Sequence, residues 1–303
     1  MPDTIGFIGL GLMGRPMAKN LLKAGFPLVA HSRSQGPVDD LVASGATRAA
    51  SPADVARRAT RIITMLPDSP DVERVLEGPD GIFSALQRGA IVIDMSSIEP
   101  ATAVRLAARA AELGGAMLDA PVSGGEIGAI DGTLSIMVGG GAEAFAACKP
   151  IFDAMGKPER VIHIGGSGAG QVCKLCNQMV LGGTIAAVGE AFSLARKASV
   201  DPAKVREALL GGFAASRVLE VHGERMIKAN YKPGFRTELF AKDLRNVAAA
   251  LSANGAPAPV SAVVQQLVNS LVAQGRGKND YAELGKLIFE MAGLDATTDA
   301  KTS

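Results

Sequence analysis

Along the first half of the chain, short apolar, mostly β-branched runs alternate with longer stretches whose apolar residues recur every three or four positions. The runs predict strands over 4–9 (TIGFIG), 27–32 (PLVAHS), 61–66 (RIITML), 90–96 (AIVIDMS), 116–121 (AMLDAP), 134–140 (LSIMVGG) and 160–165 (RVIHIG). The stretches between them predict helices near 12–24, 37–44, 51–58, 70–76, 100–113 and 142–154. Ser51-Pro52 and Glu99-Pro100 read as helix starts, since proline is tolerated at the first helical position. Strands alternating with helices imply βαβ units and a mostly parallel sheet. Past Gly165 the strand signal stops, and 168–198, 202–210, 216–229, 238–254, 259–274 and 280–292 all read as helices. The pattern therefore predicts an α/β domain over 1–165 and an all-α domain over 166–303, with no internal repeat.

The segment GAGQVCKLCNQMVLGGTIAAVGEAFSLA, Gly168 to Ala195, reads as one long helix, apolar on nearly every side, yet it contains Lys174, Asn177 and Gln178. A helix apolar all round is normally buried, so the lysine needs an explanation.

Bulk properties remove several classes of function. The chain has 303 residues, 48% hydrophobic and 20% charged, with a net charge of +1 and no long run of one sign, which gives no support for a nucleic-acid partner. Three cysteines are too few for a disulfide framework and point to a reducing, cytoplasmic compartment. TIGFIGLGLMG lacks the basic leader of a signal peptide, and the apolar run from Met179 to Val188 is too short to span a bilayer. No membrane association is expected. The closing DATTDAKTS reads as a frayed polar tail.

Chemistry enters with GFIGLGLMGRPM, which places Gly9, Gly11 and Gly14 in G-x-G-x-x-G after a predicted strand and at the opening of a predicted helix. Gly9 allows the tight turn, Gly11 lets backbone approach a pyrophosphate, and Gly14 lets helix and strand pack closely. Leu10, Leu12 and Met13 belong to the same cofactor-binding turn. The second strand ends in His31-Ser32-Arg33-Ser34, with no carboxylate before Asp39. NAD-binding folds place an acidic residue there to hold the ribose 2′-hydroxyl. Arg33 between Ser32 and Ser34 suits a 2′-phosphate instead, which favours NADP with NAD as the alternative. The bland reading is a solvated Arg33 in an enzyme permissive for both.

A second glycine loop, Ser123-Gly124-Gly125, follows a strand and offers successive N–H groups plus a hydroxyl to a carboxylate, although an ordinary β-turn has the same composition. Lys174 and Gln178, four residues apart, share one helix face, with Asn177 at its border. A lysine and an amide on a buried face form an acid/base group with an orienting partner. A lysine snorkelling to solvent from the first turns is the competing reading.

Taken together, GFIGLGLMGRPMAKNLLKAG, DAPVSGGE, DGTLSIMVGG, GAGQVCKLCNQ and KPGFRTELFAKDL resemble the β-hydroxyacid dehydrogenase family over nearly the whole chain. MLPDSPDV and IDMSSI make its tartronate semialdehyde reductase branch the most similar, with the 3-hydroxyisobutyrate dehydrogenase and glyoxylate or succinic semialdehyde reductase branches as alternatives. The resemblance implies a Rossmann-type dinucleotide-binding domain, a long linking helix and an all-α C-terminal domain. It implies hydride transfer between NADP(H) and a small 3-oxo or 3-hydroxy carboxylic acid. By the same resemblance Lys174 is catalytic and Gln178 its amide partner. Ser123, Gly124 and Gly125 form the substrate-carboxylate loop. Met65, Leu66 and Pro67 cross the cofactor, Ser97 lies near the nicotinamide, and Lys242 closes over cofactor and substrate, with Phe235 and Asp243 in the same substrate-binding motif. The absence of an acidic residue at SRS departs from many NAD-dependent members, and Gln178 replaces the asparagine of some branches.

Other constellations carry less. Cys173 and Cys176 form C-x-x-C inside a helix with no second pair, and His31, His163 and His222 show no ligand spacing, so no metal site is expected. A non-catalytic NADP-binding module would be expected to lose Lys174, and an imine reductase on this scaffold usually lacks it. The aliphatic stretches 259–274 and 280–292 predict packing against another copy, as a homodimer or homotetramer.

Overall fold

The computed structural model describes residues 3–295, and the polar tail beyond Asp295 lies outside them. The described residues fall into two compact units, divided between Lys174 and Leu175 inside one long helix.

The first unit runs β1 (Ile5–Ile8), α1 (Gly14–Lys23), β2 (Leu28–His31), α2 (Gln35–Ala43), β3 (Thr47–Arg48), α3 (Pro52–Arg58), β4 (Arg61–Thr64), α4 (Ser69–Glu77), β5 (Ile91–Asp94), α5 (Pro100–Glu112), β6 (Ala116–Asp119), β7 (Val122–Ser123), α6 (Gly125–Asp131), β8 (Leu134–Gly139), α7 (Ala142–Met155) and β9 (Gly156–Gly165). These strands form one sheet in the order β3-β2-β1-β4-β5-β6-β8-β7, with β9 also on β8. Pairing is parallel from β3 to β6, and β8 runs antiparallel to β6 and β7. This is the Rossmann-type architecture expected from the sequence, a parallel sheet with helices on both faces.

The continuous apolar runs have a physical cause. Strand side chains alternate between faces, and here both faces are buried. Ile5, Phe7, Ile63, Ile93 and Leu118 enter one core, while Ile8, Ile62, Val92 and Met117 enter the other. Ser51 caps α3 by accepting from the Asp54 N–H, with Pro52 in the first turn, as its sequence predicts.

Three differences from the sequence pattern have local reasons. Helix α2 starts two residues early, at Gln35, because Ser34 takes the extended N-cap conformation. Strand β9 starts at Gly156 and not at 160, where a Cβ on Gly156 would lie 2.6 Å from the Leu134 carbonyl oxygen of β8. The stretch after Ser123 folds into α6, closed by Gly132 in the left-handed region at φ 66°. Its glycines at 124, 125 and 128 hide that helix from a propensity reading.

Helix α8 (Ala169–Lys197) runs 29 residues, a rise of roughly 43 Å at about 1.5 Å per residue. Among the described residues it alone is long and apolar enough to cross a membrane, and half of its apolar stretch is buried in the protein. The second unit continues with α9 (Pro202–Leu210), α10 (Arg217–Ile227), α11 (Thr237–Ala253), α12 (Pro259–Ala273) and α13 (Glu283–Met291). Its core is built on Ile185 and Phe192 of α8 with Phe240, Leu244, Val268 and Leu284.

Candidate active site

The glycine turn between β1 and α1 has the shape that its spacing predicts. Gly9 sits at φ +99°, and a Cβ there would lie 2.3 Å from the Met65 carbonyl oxygen. A Cβ on Gly14 would meet the Gly9 carbonyl oxygen at 1.9 Å, so helix and turn touch through glycine alone. A Cβ on Gly11 would meet nothing within 4 Å, leaving its backbone open to an approaching group. The residues present therefore fit a pyrophosphate at the start of α1. A groove of about 610 Å³ opens there, lined by Leu10, Gly11, Leu12, Arg15 and Pro16 among others. Met13 is partly buried at the N-cap of α1.

At the end of β2, Ser32 is half-buried and its Oγ accepts from the Leu10 N–H at 3.4 Å. Arg33 and Ser34 are exposed at the opening of α2. The next carboxylates along the chain, Asp39 and Asp40, are ion-paired. Asp39 pairs with Arg48, and Asp40 takes Lys19 at 2.7 Å and Arg15 at 3.0 Å. The Lys19 contact, helped by Arg15, holds the Asp40 carboxyl below its ordinary range.

Beyond β4, Met65 and Leu66 are half-buried and Pro67 is exposed. The Met65 N–H donates to the Ile8 carbonyl at 2.9 Å, and the Leu66 N–H donates to Ser96 Oγ at 2.8 Å. Ser96 Oγ in turn donates to Asp94 Oδ1 at 2.6 Å, which also accepts from Thr64 Oγ1 at 2.7 Å. Asp94 is fully buried, and burial pushes its carboxyl up to about 6 although these hydrogen bonds oppose the shift. Ser97 follows, half-buried. The sequence marks this region as two strand ends and a family motif, without singling out Thr64, Asp94 or Ser96. The signal available was a carboxylate and hydroxyls at the carboxyl ends of predicted strands.

The second glycine loop carries Ser123 half-buried on β7, with Gly124 and Gly125 exposed at φ 141° and 62°. Lys174 is 8% exposed, and its Nζ donates to the Val122 carbonyl at 2.9 Å. The lysine is therefore inside the protein, tied to the residue preceding Ser123, and the snorkelling alternative is removed. Two further buried groups were not anticipated. Asp119 accepts from the Gly168 N–H at 2.7 Å and the Gln171 N–H at 2.9 Å, and burial raises its pKa against these bonds. Gln171 is fully buried, accepting from the Ile98 N–H at 3.1 Å and donating to the Ser96 carbonyl at 2.8 Å.

Within the second unit, Gln178, Lys242 and Asp243 come together, all 8% exposed or less. Gln178 Nε2 donates to Asp243 Oδ2 at 2.5 Å, and Lys242 Nζ pairs with Asp243 Oδ1 at 2.8 Å. Asn177 Nδ2 donates to Gln178 Oε1 at 2.7 Å. Asp243 thus spends both oxygens on orienting the amide and the lysine. Phe235 packs edge-on against Tyr281, ring centres 5.4 Å apart, and its N–H donates to Asp280. Among the described residues no group of three or more His, Cys, Asp or Glu has the arrangement to hold a metal.

Two family models cover the chain. Residues 4–165 match the NAD-binding domain of 6-phosphogluconate dehydrogenase, and 168–288 match a domain described as NAD-binding of NADP-dependent 3-hydroxyisobutyrate dehydrogenase. Escherichia coli K12 2-hydroxy-3-oxopropionate reductase is 47% identical over 289 residues, covering 95% of this chain and 98% of that protein. The NAD-dependent L-serine dehydrogenase of Pseudomonas aeruginosa is 39% identical, covering 93% and 97% respectively. Among solved structures, Mycobacterium tuberculosis 3-hydroxyisobutyrate dehydrogenase with L-serine superposes with a TM-score of 0.86 at 31% identity, covering 96% of this chain and 99% of that one.

Proposed function

Since the chain belongs to the β-hydroxyacid dehydrogenase family of NAD(P)-dependent oxidoreductases, the 3-hydroxyisobutyrate dehydrogenase-like enzymes, we propose that it is an NADP(H)-preferring reductase of tartronate semialdehyde. The observation that carries this reading is the buried Lys174, its Nζ hydrogen-bonded to the carbonyl that precedes Ser123-Gly124-Gly125. A proton donor and a carboxylate-binding loop then adjoin, as a short 3-oxo acid requires.

When bound, the reduced nicotinamide supplies the hydride. The chain's own groups do the rest. The N–H groups and hydroxyl of Ser123, Gly124 and Gly125 hold the substrate carboxylate. Lys174 Nζ donates a hydrogen bond to the carbonyl oxygen and passes its proton there as negative charge develops. Gln178 aligns lysine and substrate, and Asp243 orients Gln178 and Lys242. Phe235 forms part of the substrate wall. Gly9 to Gly14 hold the pyrophosphate, Met65, Leu66, Pro67 and Ser97 bound the nicotinamide, and Ser32, Arg33 and Ser34 hold a 2′-phosphate.

The 47% identity to 2-hydroxy-3-oxopropionate reductase favours tartronate semialdehyde over 3-hydroxyisobutyrate or L-serine as the physiological partner. Three free thiols among the described residues are consistent with a reducing, cytoplasmic setting. Val260 and Val263, 65% and 62% exposed on α12, support a homodimer or homotetramer. The test is NADPH oxidation followed by absorbance with tartronate semialdehyde, methylmalonate semialdehyde, glyoxylate, succinic semialdehyde and a cyclic imine. The highest kcat/KM is expected for tartronate semialdehyde. A higher value for any other compound overturns the substrate assignment, and turnover of the imine alone overturns the reaction class.

A further inference from the structure

Asp119, Gln171 and Ser96 are buried polar side chains of the first unit that the mechanism above does not use. They form one connected set. The Asp119 carboxylate receives the Gly168 and Gln171 N–H groups at the first turn of α8, satisfying donors that a helix start leaves without intrahelical partners. The approach is close enough that a Cβ on Gly139 would lie 2.5 Å from Asp119 Oδ1. Gln171 then divides its amide between two backbone groups of one segment, the Ile98 N–H and the Ser96 carbonyl. Ser96 Oγ accepts the Leu66 N–H, in the loop beyond β4. The first turn of α8 is thereby joined to the segment 96–98 and, through Ser96, to Leu66. Lys174 stands three residues beyond Gln171 on that helix, so its Cα follows any movement of this turn.

An apolar side chain would fill this fully buried place without needing partners, whereas a buried amide is tolerated only when its hydrogen bonds are made. A planar amide bound at both ends also fixes a direction, which packing alone does not. We infer that Gln171 is a positioning residue for the proton donor: it holds the lysine-bearing turn of α8 in register with the backbone at Ser96–Ile98 and the Leu66 loop. The inference rests on Lys174 being that donor.

The experiment is a double-mutant cycle. Gln171→Met keeps the side-chain length and removes both hydrogen bonds. It is made in the wild type and in Lys174→Ala, and kcat, KM, the NADPH Kd by fluorescence and amide exchange at Ile98 are measured. Lys174→Ala is expected to lower kcat by roughly 10²–10⁴-fold. In the wild type, Gln171→Met is expected to lower kcat about ten- to hundredfold, since a displacement of about 1 Å can cost about 10²-fold. NADPH Kd should move less than about threefold, and the Ile98 amide should exchange faster. In Lys174→Ala the added Gln171→Met should change kcat less than about twofold, because the group it positions is gone.

An equal loss of kcat in both backgrounds overturns the inference and makes Gln171 merely structural. So does faster Ile98 exchange with unchanged kcat. Near-wild-type kcat in Lys174→Ala overturns the proton-donor reading itself, and the inference with it. Should Gln171→Met not fold, Gln171→Asn keeps the amide but is one methylene too short to bridge both groups, and the same outcomes apply.

Discussion

Asp94 and Asp119 stand opposite one another in register at the carboxyl ends of the adjacent parallel strands β5 and β6, both buried. Each fastens a different part of the candidate site. Asp94 receives Thr64 and Ser96, and Ser96 receives Leu66, while Asp119 receives the first turn of α8. Ligands of open α/β sheets bind outside these strand ends, so two carboxylates placed there set the backbone around the ligand without having to touch it.

Burial has a consequence for stability against pH. An unfolded aspartate ionises near 3.8, and burial pushes Asp94 up to about 6. Between those values the native state keeps a proton that the unfolded chain has released. Stability from this group is therefore full below the lower value and falls as pH rises through the upper one. Asp94→Asn carries no such proton, and its amide oxygen can still accept from Thr64 and Ser96. Its stability relative to wild type should rise between pH 4 and 7 by up to about 3 kcal/mol, at about 1.4 kcal/mol per pKa unit. Urea unfolding across that range measures it, and a flat difference would show that Asp94 does not titrate there.

Asp243 carries a second structural load. It neutralises Lys242 and accepts from Gln178, and all three are nearly excluded from water. Asp243→Ala should destabilise the protein by about 3–5 kcal/mol, because it removes the carboxylate that pairs with a buried ammonium and accepts from a buried amide. Replacing both partners, as Lys242→Met with Asp243→Leu, should restore most of that loss. Denaturant unfolding followed by far-ultraviolet circular dichroism compares the three proteins. A loss below about 1 kcal/mol in Asp243→Ala would mean that the pair behaves as a solvated one.

The sheet and the glycine turn were legible in the sequence because their causes are local. Ile62 and Ile63 face opposite cores, so β4 reads as an unbroken apolar run, and the crowding at Gly9 and Gly14 arises within the turn itself. Lys174 was legible only as a conflict, a charge in an apolar helix, since periodicity does not say whether a long side chain turns inward. Asp119 and Gln171 were not legible as a pair. They lie 52 residues apart, and only the end of β6 meeting the start of α8 gives each its meaning. The short helix α6 was hidden by its glycines, which lower helical propensity wherever the backbone finally goes.

The Ser123 loop separates binding from chemistry. Ser123→Ala removes a hydroxyl from the proposed carboxylate cradle while leaving Lys174 and its bond to Val122 in place. KM for tartronate semialdehyde should rise about tenfold, in the range of one hydrogen bond to a charged group, about 1.5–3 kcal/mol. KM for glycolaldehyde, which lacks the carboxylate, should hardly change. Equal effects on the two compounds would remove the carboxylate assignment.

Cofactor preference should turn on Arg33. An acidic group at the end of β2 would repel a 2′-phosphate. Asp39 is paired with Arg48 and Asp40 with Arg15 and Lys19, so neither is spare to hold a ribose hydroxyl. Arg33 is exposed at the opening of α2 and makes no ion pair among the described residues, and Ser32 and Ser34 flank it. A guanidinium there can grip a phosphate with two hydrogen bonds, and the start of α2 adds a favourable dipole. Charged hydrogen bonds of about 1.5–3 kcal/mol convert to roughly ten- to hundredfold in kcat/KM. Arg33→Ala should lose that factor with NADPH and almost nothing with NADH, which has no phosphate to hold. Ser32→Asp should move the preference toward NADH, by offering the ribose an acceptor and the phosphate a repulsive charge. Steady-state kcat/KM with both cofactors, for wild type and the two variants, checks each step. A wild type that already favours NADH, or an Arg33→Ala variant that loses equally with both, would place the determinant elsewhere in the groove.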